Sequence, residues 1–287
     1  MGYAYFMART VDQAVALLHE QQGRVIAGGT DLVLDLRNGK KTCQAVVDIT
    51  DIPECGQISL ENDFLRIGAC CTFAQLEASP LVQRYATALA QASSFVGSPQ
   101  IRNVATIGGN VVNAMPAADG AVALVGLNAQ AEIAGTDGLR LCRVEDCYRG
   151  IGQSTVDAGR EFICAFRVPL RADGTWRSAY KRFALRQSLA LPVVAAAAGI
   201  GFQEKRIVSC RLALAPAGTA PWRAEEAETY LKDRTISRET ATVAAGLAAQ
   251  AAPFRDSPVR CSAAYKRMLA ETMACDALLD AAGNLAD

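Results

Sequence analysis

Hydrophobic positions change period along the chain, and each change marks an element. Val11, Ala14, Val15 and Leu18 recur at the three-and-four spacing of a helix face, with Thr10 and Gln13 placed as a capping box and Gly23 where a C-cap belongs. A short strand from Arg24 to Ala27 follows, the chain turns at Gly28-Gly29, and a second helix is expected from Thr30 or Asp31. Ala45 to Ile49 is the next strand. Together these make a small α+β unit.

Pro53 and Gly56 punctuate the chain before a strand from Phe64 to Ala69, which leads into a capped helix at Thr72-Phe73-Ala74-Gln75. A helix around Leu81 to Val96, a glycine-rich stretch from Gly97 to Asn113, an apolar segment from Ala121 to Leu127, a strand near Ala131 to Ala134 and a turn at Asp137-Gly138 continue this second unit. The polar segment Leu170 to Thr175 carries Asp173-Gly174 and marks the main boundary. Beyond it come strands at Ser178 to Leu185, Val193 to Phe202 and Ser209 to Ala215, then alanine-rich helices at Ser237 to Ala252 and Ser262 to Ala281. The expected organisation is α+β throughout, in units 1–55, 56–172 and 173–287.

Composition narrows the function classes. Twenty-nine basic residues balance 29 acidic ones, so no field draws nucleic acid. No run reaches the roughly 18 to 20 apolar residues of a membrane span, and Met1 to Arg9 has no signal-peptide pattern, so a cytoplasmic location is expected. The ten cysteines form no CxxC pair and no run of four, and are expected as small buried hydrophobes rather than cluster ligands. His19 is the only histidine and sits on the first helix, which removes Ser-His-Asp and zinc-hydrolase readings.

Two double-glycine turns carry candidate chemistry: Ala27-Gly28-Gly29-Thr30-Asp31 and Thr106-Ile107-Gly108-Gly109-Asn110. Backbone without Cβ atoms can approach a diphosphate closely and aim several N–H donors at it, and Gly29 in particular is expected to leave space for the diphosphate. Either turn alone is also what an ordinary tight turn looks like. Asn110, Asn113 and Asp119 follow the second pair and can serve sugar or ribityl hydroxyls, or simply cap turns and helices.

The run Val25-Ile26-Ala27-Gly28-Gly29-Thr30-Asp31-Leu32, and the run Arg102 to Asn110 with Pro116 and Asp119, resemble the two flavin motifs of the FAD-binding (medium) subunit of molybdenum hydroxylases, the xanthine dehydrogenase and carbon monoxide dehydrogenase type. The stretch Arg260 to Arg267 is similar to that family's C-terminal domain, so the resemblance covers nearly the whole chain. It implies a vanillyl-alcohol-oxidase-type (PCMH) FAD-binding fold of two α+β subdomains plus a C-terminal α+β domain. FAD would lie with its diphosphate between Val25 to Leu32 and Thr106, Ile107, Gly108, Gly109 and Asn110, with Asp119 on its sugar or ribityl chain and Ile163 near the flavin.

The resemblance also implies a role. The chain would pass electrons from two [2Fe-2S] clusters on a small subunit through FAD to an acceptor such as NAD, while a large molybdopterin-binding subunit hydroxylates a purine or other N-heterocycle. A dimer of heterotrimers is the implied assembly. No catalytic side chain and no metal ligand is then expected here. One departure stands out. Where the family carries an aromatic residue, Lys, Arg and Asp, this chain reads Tyr180, Arg182, Arg186 and Ala190. Arg182 keeps a cation where the family's lysine faces the isoalloxazine, a guanidinium in place of an ammonium. Lys181, its neighbour, can take over only if the backbone shifts. The alternatives are a free-standing flavin oxidase or reductase of the same fold, or a flavin-free assembly subunit.

Overall fold

The structure is a computed structural model in which residues 2–170, 175–257 and 261–283 are described. Asp173-Gly174 of the expected boundary, and Arg260, lie outside the described residues.

In the first unit, β1 (Ala4–Met7), α1 (Val11–Glu20), β2 (Gly23–Ile26), α2 (Leu32–Arg37) and β3 (Ala45–Asp48) form a parallel sheet in the order β1-β3-β2, followed by a short α3 (Pro53–Gly56). Parallel neighbours require crossovers, and the two helices provide them. Thr10 caps α1 as expected, accepting from the Gln13 N–H at 3.1 Å. The glycine stop is not where the pattern put it: α1 ends at Glu20 with Gln21 as its C-cap, Gln22 takes the left-handed conformation (φ 48°), and Gly23 opens β2. A Cβ at Gly23 would stand 3.0 Å from Val47 Cγ2, so this glycine serves close strand packing rather than a helix end.

The second unit contains β4 (Ile58–Glu61), β5 (Phe64–Gly68), α4 (Phe73–Ala78), α5 (Pro80–Tyr85), α6 (Thr87–Ser94), α7 (Pro99–Arg102), α8 (Ile107–Val112), α9 (Asp119–Gly126), β6 (Gln130–Gly135), β7 (Gly138–Arg143), β8 (Tyr148–Gly150), β9 (Gln153–Ser154) and β10 (Glu161–Pro169). Its antiparallel sheet runs β4-β5-β10-β6-β7, with the helices on one face around Leu65, Ile67, Phe73, Leu89, Ile107 and Leu124. The single helix expected over Leu81 to Val96 is two, broken at Ala86 (φ −139°, ψ 48°).

Inside this sheet Glu132 of β6 is 3 % exposed and takes two cations, Arg167 from the adjacent β10 and, at 3.0 Å, Arg66 from β5 beyond it. Glu132→Ala leaves Arg167 without its counter-charge and Arg66 with only the looser pair to Glu61 at 3.9 Å. The expected loss is on the order of 3 kcal/mol, low for a broken buried pair because the arginines keep some water, and urea unfolding measures it. A loss under about 1 kcal/mol would return the triad to the class of surface pairs.

The third unit is an antiparallel sheet of β11 (Trp176–Phe183), β12 (Val194–Gln203), β13 (Arg206–Ala217) and β14 (Ala220–Arg223), followed by α10 (Glu225–Leu231), α11 (Arg238–Ala251) and α12 (Ala263–Ala282). Strand alternation divides its side chains between two cores. Ala195, Ala197, Ala213 and Ala215 join the core of the second unit, while Ala196, Ala198, Leu212 and Leu214 pack with α11 and α12. The small side chains on the first face are required by proximity: a Cβ at Gly126 of α9 would stand 2.6 Å from the Ala197 Cβ. Among the described residues no helix is long and apolar enough to cross a membrane.

Candidate functional site

The two double-glycine segments meet. Gly28, two residues past the end of β2, lies directly on the chain before α8, so close that a Cβ there would be 1.9 Å from the Val104 carbonyl oxygen and 2.7 Å from its carbon. Only glycine fits such an approach. Gly29 has a different need: it is left-handed (φ 67°), and its Cβ would point at Val33 and Ile26 of its own loop at 3.1 and 3.5 Å, not into ligand space as the sequence suggested.

The donors are distributed unequally. From Ala27 to Leu32 the six backbone N–H groups donate to no acceptor among the described residues. Unbonded donors in a partly sheltered loop form a nest for an anion. α2 is only six residues long, so these N–H groups, more than a helix dipole, make the first loop anion-seeking.

The second segment is not a turn but the first turn of a helix. Thr106 is the N-cap of α8, its Oγ1 accepting from the Gly109 N–H at 3.2 Å, and this side-chain cap starts a helix where two glycines suggested a loop. Of the five N–H groups from Thr106 to Asn110, four are engaged: Ile107 to Cys71 O, Gly108 to Ala69 O, Gly109 to Thr106 Oγ1 and Asn110 to Thr106 O. The Thr106 N–H is left. Gly108 is needed for packing, since its Cβ would come within 2.7 Å of the Ala69 Cβ, whereas Gly109 is exposed and meets only Thr106 Oγ1.

Asn110 links the loops to the next helix. Its Oδ1 accepts from the Ala121 N–H at 3.1 Å and so caps α9 across space, which fixes the amide and leaves Nδ2 as its donor end. Asn113 closes α8. Asp119, first in α9, is 6 % exposed, and its Oδ1 accepts from Tyr180 OH at 2.6 Å and Arg182 Nη1 at 3.0 Å. Burial holds the Asp119 carboxyl above the usual carboxylate range, and the Arg182 charge offsets this only in part. Burial and the neighbouring carboxylate push the Tyr180 phenol up, so it stays a donor.

Arg182 also donates from Nη2 to Ala190 O at 2.7 Å and from Nη1 to Phe95 O at 3.3 Å, with its Cζ 5.0 Å from the Phe95 ring centre. Ala190, where the resemblance places a carboxylate, thus supplies its backbone carbonyl. Lys181 is not brought to the loops. The β11 register against β12 is unbroken, Tyr180 on Ala197, Lys181 on Ala196 and Arg182 on Ala195, so no backbone shift occurs and Lys181 turns to the opposite face, pairing with Asp280 of α12. Ile163 lies in β10 beneath α8, 4 % exposed in the core of the second unit.

Sequence reasoning missed Ala69 and Phe95, whose backbone carbonyls seat Gly108 and Arg182; no local pattern announces a long-range carbonyl contact. The structure also gathers cysteines that look scattered in sequence. Cys55, Cys70, Cys71 and Cys164 lie buried at the seam of the first two units, where the Cys70 N–H donates to Cys55 O at 2.7 Å. Burial pushes the Cys71 and Cys164 thiols up to about 12, so they behave as small apolar groups, and among the described residues no cluster of three or more potential metal ligands occurs. Surface clefts of about 510 and 480 Å³ lie elsewhere, one lined by Gln91, Ser178 and Asp280, the other by Trp222 and Arg223. Neither includes the glycine loops.

Two α+β units meet where a loop of unbonded backbone donors lies against the chain before α8, too closely for any Cβ at Gly28, and the fold is that of a flavoprotein of the vanillyl-alcohol oxidase type. The chain belongs to the family of FAD-binding subunits of molybdopterin-dependent dehydrogenases: residues 1–171 match the FAD binding domain in molybdopterin dehydrogenase, and residues 178–281 match the CO dehydrogenase flavoprotein C-terminal domain. It is 31% identical to the xanthine dehydrogenase FAD-binding subunit of Escherichia coli O157:H7, over 83% of this chain and 82% of that one. It is 28% identical to the carbon monoxide dehydrogenase medium chain of Afipia carboxidovorans, over 95% and 94%. Quinoline 2-oxidoreductase from Pseudomonas putida 86 shares the fold with a TM-score of 0.88 at 26% identity, over 99% of this chain and 98% of that one.

Proposed function

We propose that this chain is the electron-transfer flavoprotein of a molybdenum-containing hydroxylase, carrying electrons from the [2Fe-2S] clusters of a small subunit through FAD to an external acceptor such as NAD. A large molybdopterin-binding subunit hydroxylates a purine or other N-heterocycle, and the complex is a cytoplasmic dimer of heterotrimers. The units are 1–55, 56–172 and 173–287. The observation that carries the reading is the contact of Gly28 with Val104, which sets the donors of the first loop against Thr106 and Asn110 of the second segment.

FAD, when bound, accepts electrons singly and releases them in pairs. The chain's own work is to hold and orient it. Val25 and Ile26 anchor the loop on β2, and the N–H groups from Ala27 to Leu32 hold the diphosphate from one side. The Thr106 N–H and Asn110 Nδ2 hold it from the other, Asp119 accepts from a sugar or ribityl hydroxyl, and Ile163 backs the flavin end. No residue acts as nucleophile or general base.

Purification from the native source tests this. The chain is expected to elute with one larger and one smaller partner and to show flavin absorbance near ~370 and ~450 nm. A yellow chain that turns over substrate alone would establish a free-standing flavoenzyme instead, and a colourless complex would establish an assembly subunit.

A further inference from the structure

Strand β11 ties the third unit to the second through alternate side chains. Ser178 Oγ accepts from the Ala88 N–H at 3.1 Å, the Tyr180 N–H donates to Gln91 Oε1 at 2.7 Å, and Tyr180 OH and Arg182 Nη1 both donate to Asp119 Oδ1. The pair at the end of this row is deeply enclosed, with side-chain exposures of 3 % for Arg182 and 8 % for Asp119. Both donors converge on Oδ1, and among the described residues no side chain donates to Oδ2. The two side-chain donors therefore hold the carboxylate by one oxygen, its own backbone N–H is the remaining protein donor to the carboxyl, and the other oxygen takes no side-chain bond.

An isolated carboxylate in such an interior takes up a proton or forces the site open, because desolvation disfavours its charge. Arg182 is the cation that counters this. Its other bonds go to the neutral carbonyls of Ala190 and Phe95, so no second carboxylate competes for its charge. That is the effect of alanine at position 190: the guanidinium is oriented by a backbone oxygen while its charge is left to Asp119. A planar fork suits three acceptors spread around one plane, which an ammonium serves less well.

We infer that Arg182 is a positioning residue that acts through Asp119, keeping that carboxylate charged and turned so that Oδ2 accepts from a hydroxyl of the cofactor, instead of touching the flavin itself. The inference rests on the FAD-binding role proposed above. It makes the third unit part of the nucleotide site although neither glycine loop belongs to it.

The test is a double-mutant cycle on the full chain with its partners, using Arg182→Met, Arg182→Lys, Asp119→Asn and Asp119→Asn with Arg182→Met. FAD affinity is read by flavin fluorescence, and the thermal midpoint is read without FAD. Arg182→Met is expected to weaken FAD roughly tenfold or more, Arg182→Lys to recover most of that, and the double variant to bind no more weakly than Asp119→Asn alone. Additive losses would mean that Arg182 contacts the cofactor independently, and unchanged affinity in Arg182→Met would mean that it does nothing for the site; either overturns the inference while leaving FAD binding intact. If Arg182→Met alone does not fold, the double variant, which leaves no buried charge unpaired, is compared with Asp119→Asn. Wild-type protein with no affinity for FAD would overturn the function proposal, and the inference with it.

Discussion

Gly28→Val is expected to abolish FAD retention while the protein still unfolds cooperatively. A Cβ at this position starts 1.9 Å from the Val104 oxygen, so the loop and the strand of chain before α8 must separate by more than an ångström before the side chain fits. Separation pulls the free N–H groups of 27–32 away from the Thr106 and Asn110 side of the site. Hydrogen bonds to a charged group contribute about 1.5–3 kcal/mol each, so losing two weakens binding about 100-fold or more. Flavin fluorescence titration measures this, and Gly246→Ala on α11, where nothing lies within 4 Å of the new Cβ, is the control expected to bind normally. Tight FAD binding by Gly28→Val would show that the diphosphate does not lie against this loop.

The second large effect is on the fold. Gly126→Val places a Cβ 2.6 Å from the Ala197 Cβ and 2.9 Å from the Ala197 oxygen, at the seam where α9 meets β12. The obstacle is sheet backbone, which cannot rotate away. Overpacking of this kind costs about 1–3 kcal/mol, and the rigid obstacle here puts it at the upper end, about 3 kcal/mol, a large share of the roughly 5–15 kcal/mol that holds a domain folded. The thermal midpoint should fall by several degrees, and a change within about one degree would mean that the third unit slides on α9 without penalty.

Much of the fold was legible because the long elements carry a clear period, an unbroken apolar run or a strong helix-forming composition. The face of α1 follows directly from spacing, β12 from its unbroken apolar run, and α11 and α12 from their alanine-rich composition. β1 was missed because Ala4 to Met7 is almost wholly exposed and shows no alternation, and β4 because Ile58 to Glu61 is a half-exposed edge. Glycine misled twice. At Gly23 and at Gly108-Gly109 the need is close packing or an open helix start, and sequence alone does not separate those needs from a turn. Within the site, the loops and Asp119 were legible through the resemblance. The convergence of Tyr180 and Arg182 on one carboxylate oxygen was not, because it depends on how β11 packs on α9.

The row of bonds from β11 also means that the site is completed late in synthesis. A ribosome releases both glycine segments well before Ser178 to Arg182 appear, and the carbonyl of Ala190 that orients Arg182 comes later still. No nascent chain or proteolytic fragment that stops short of residue 190 contains every group that surrounds Asp119.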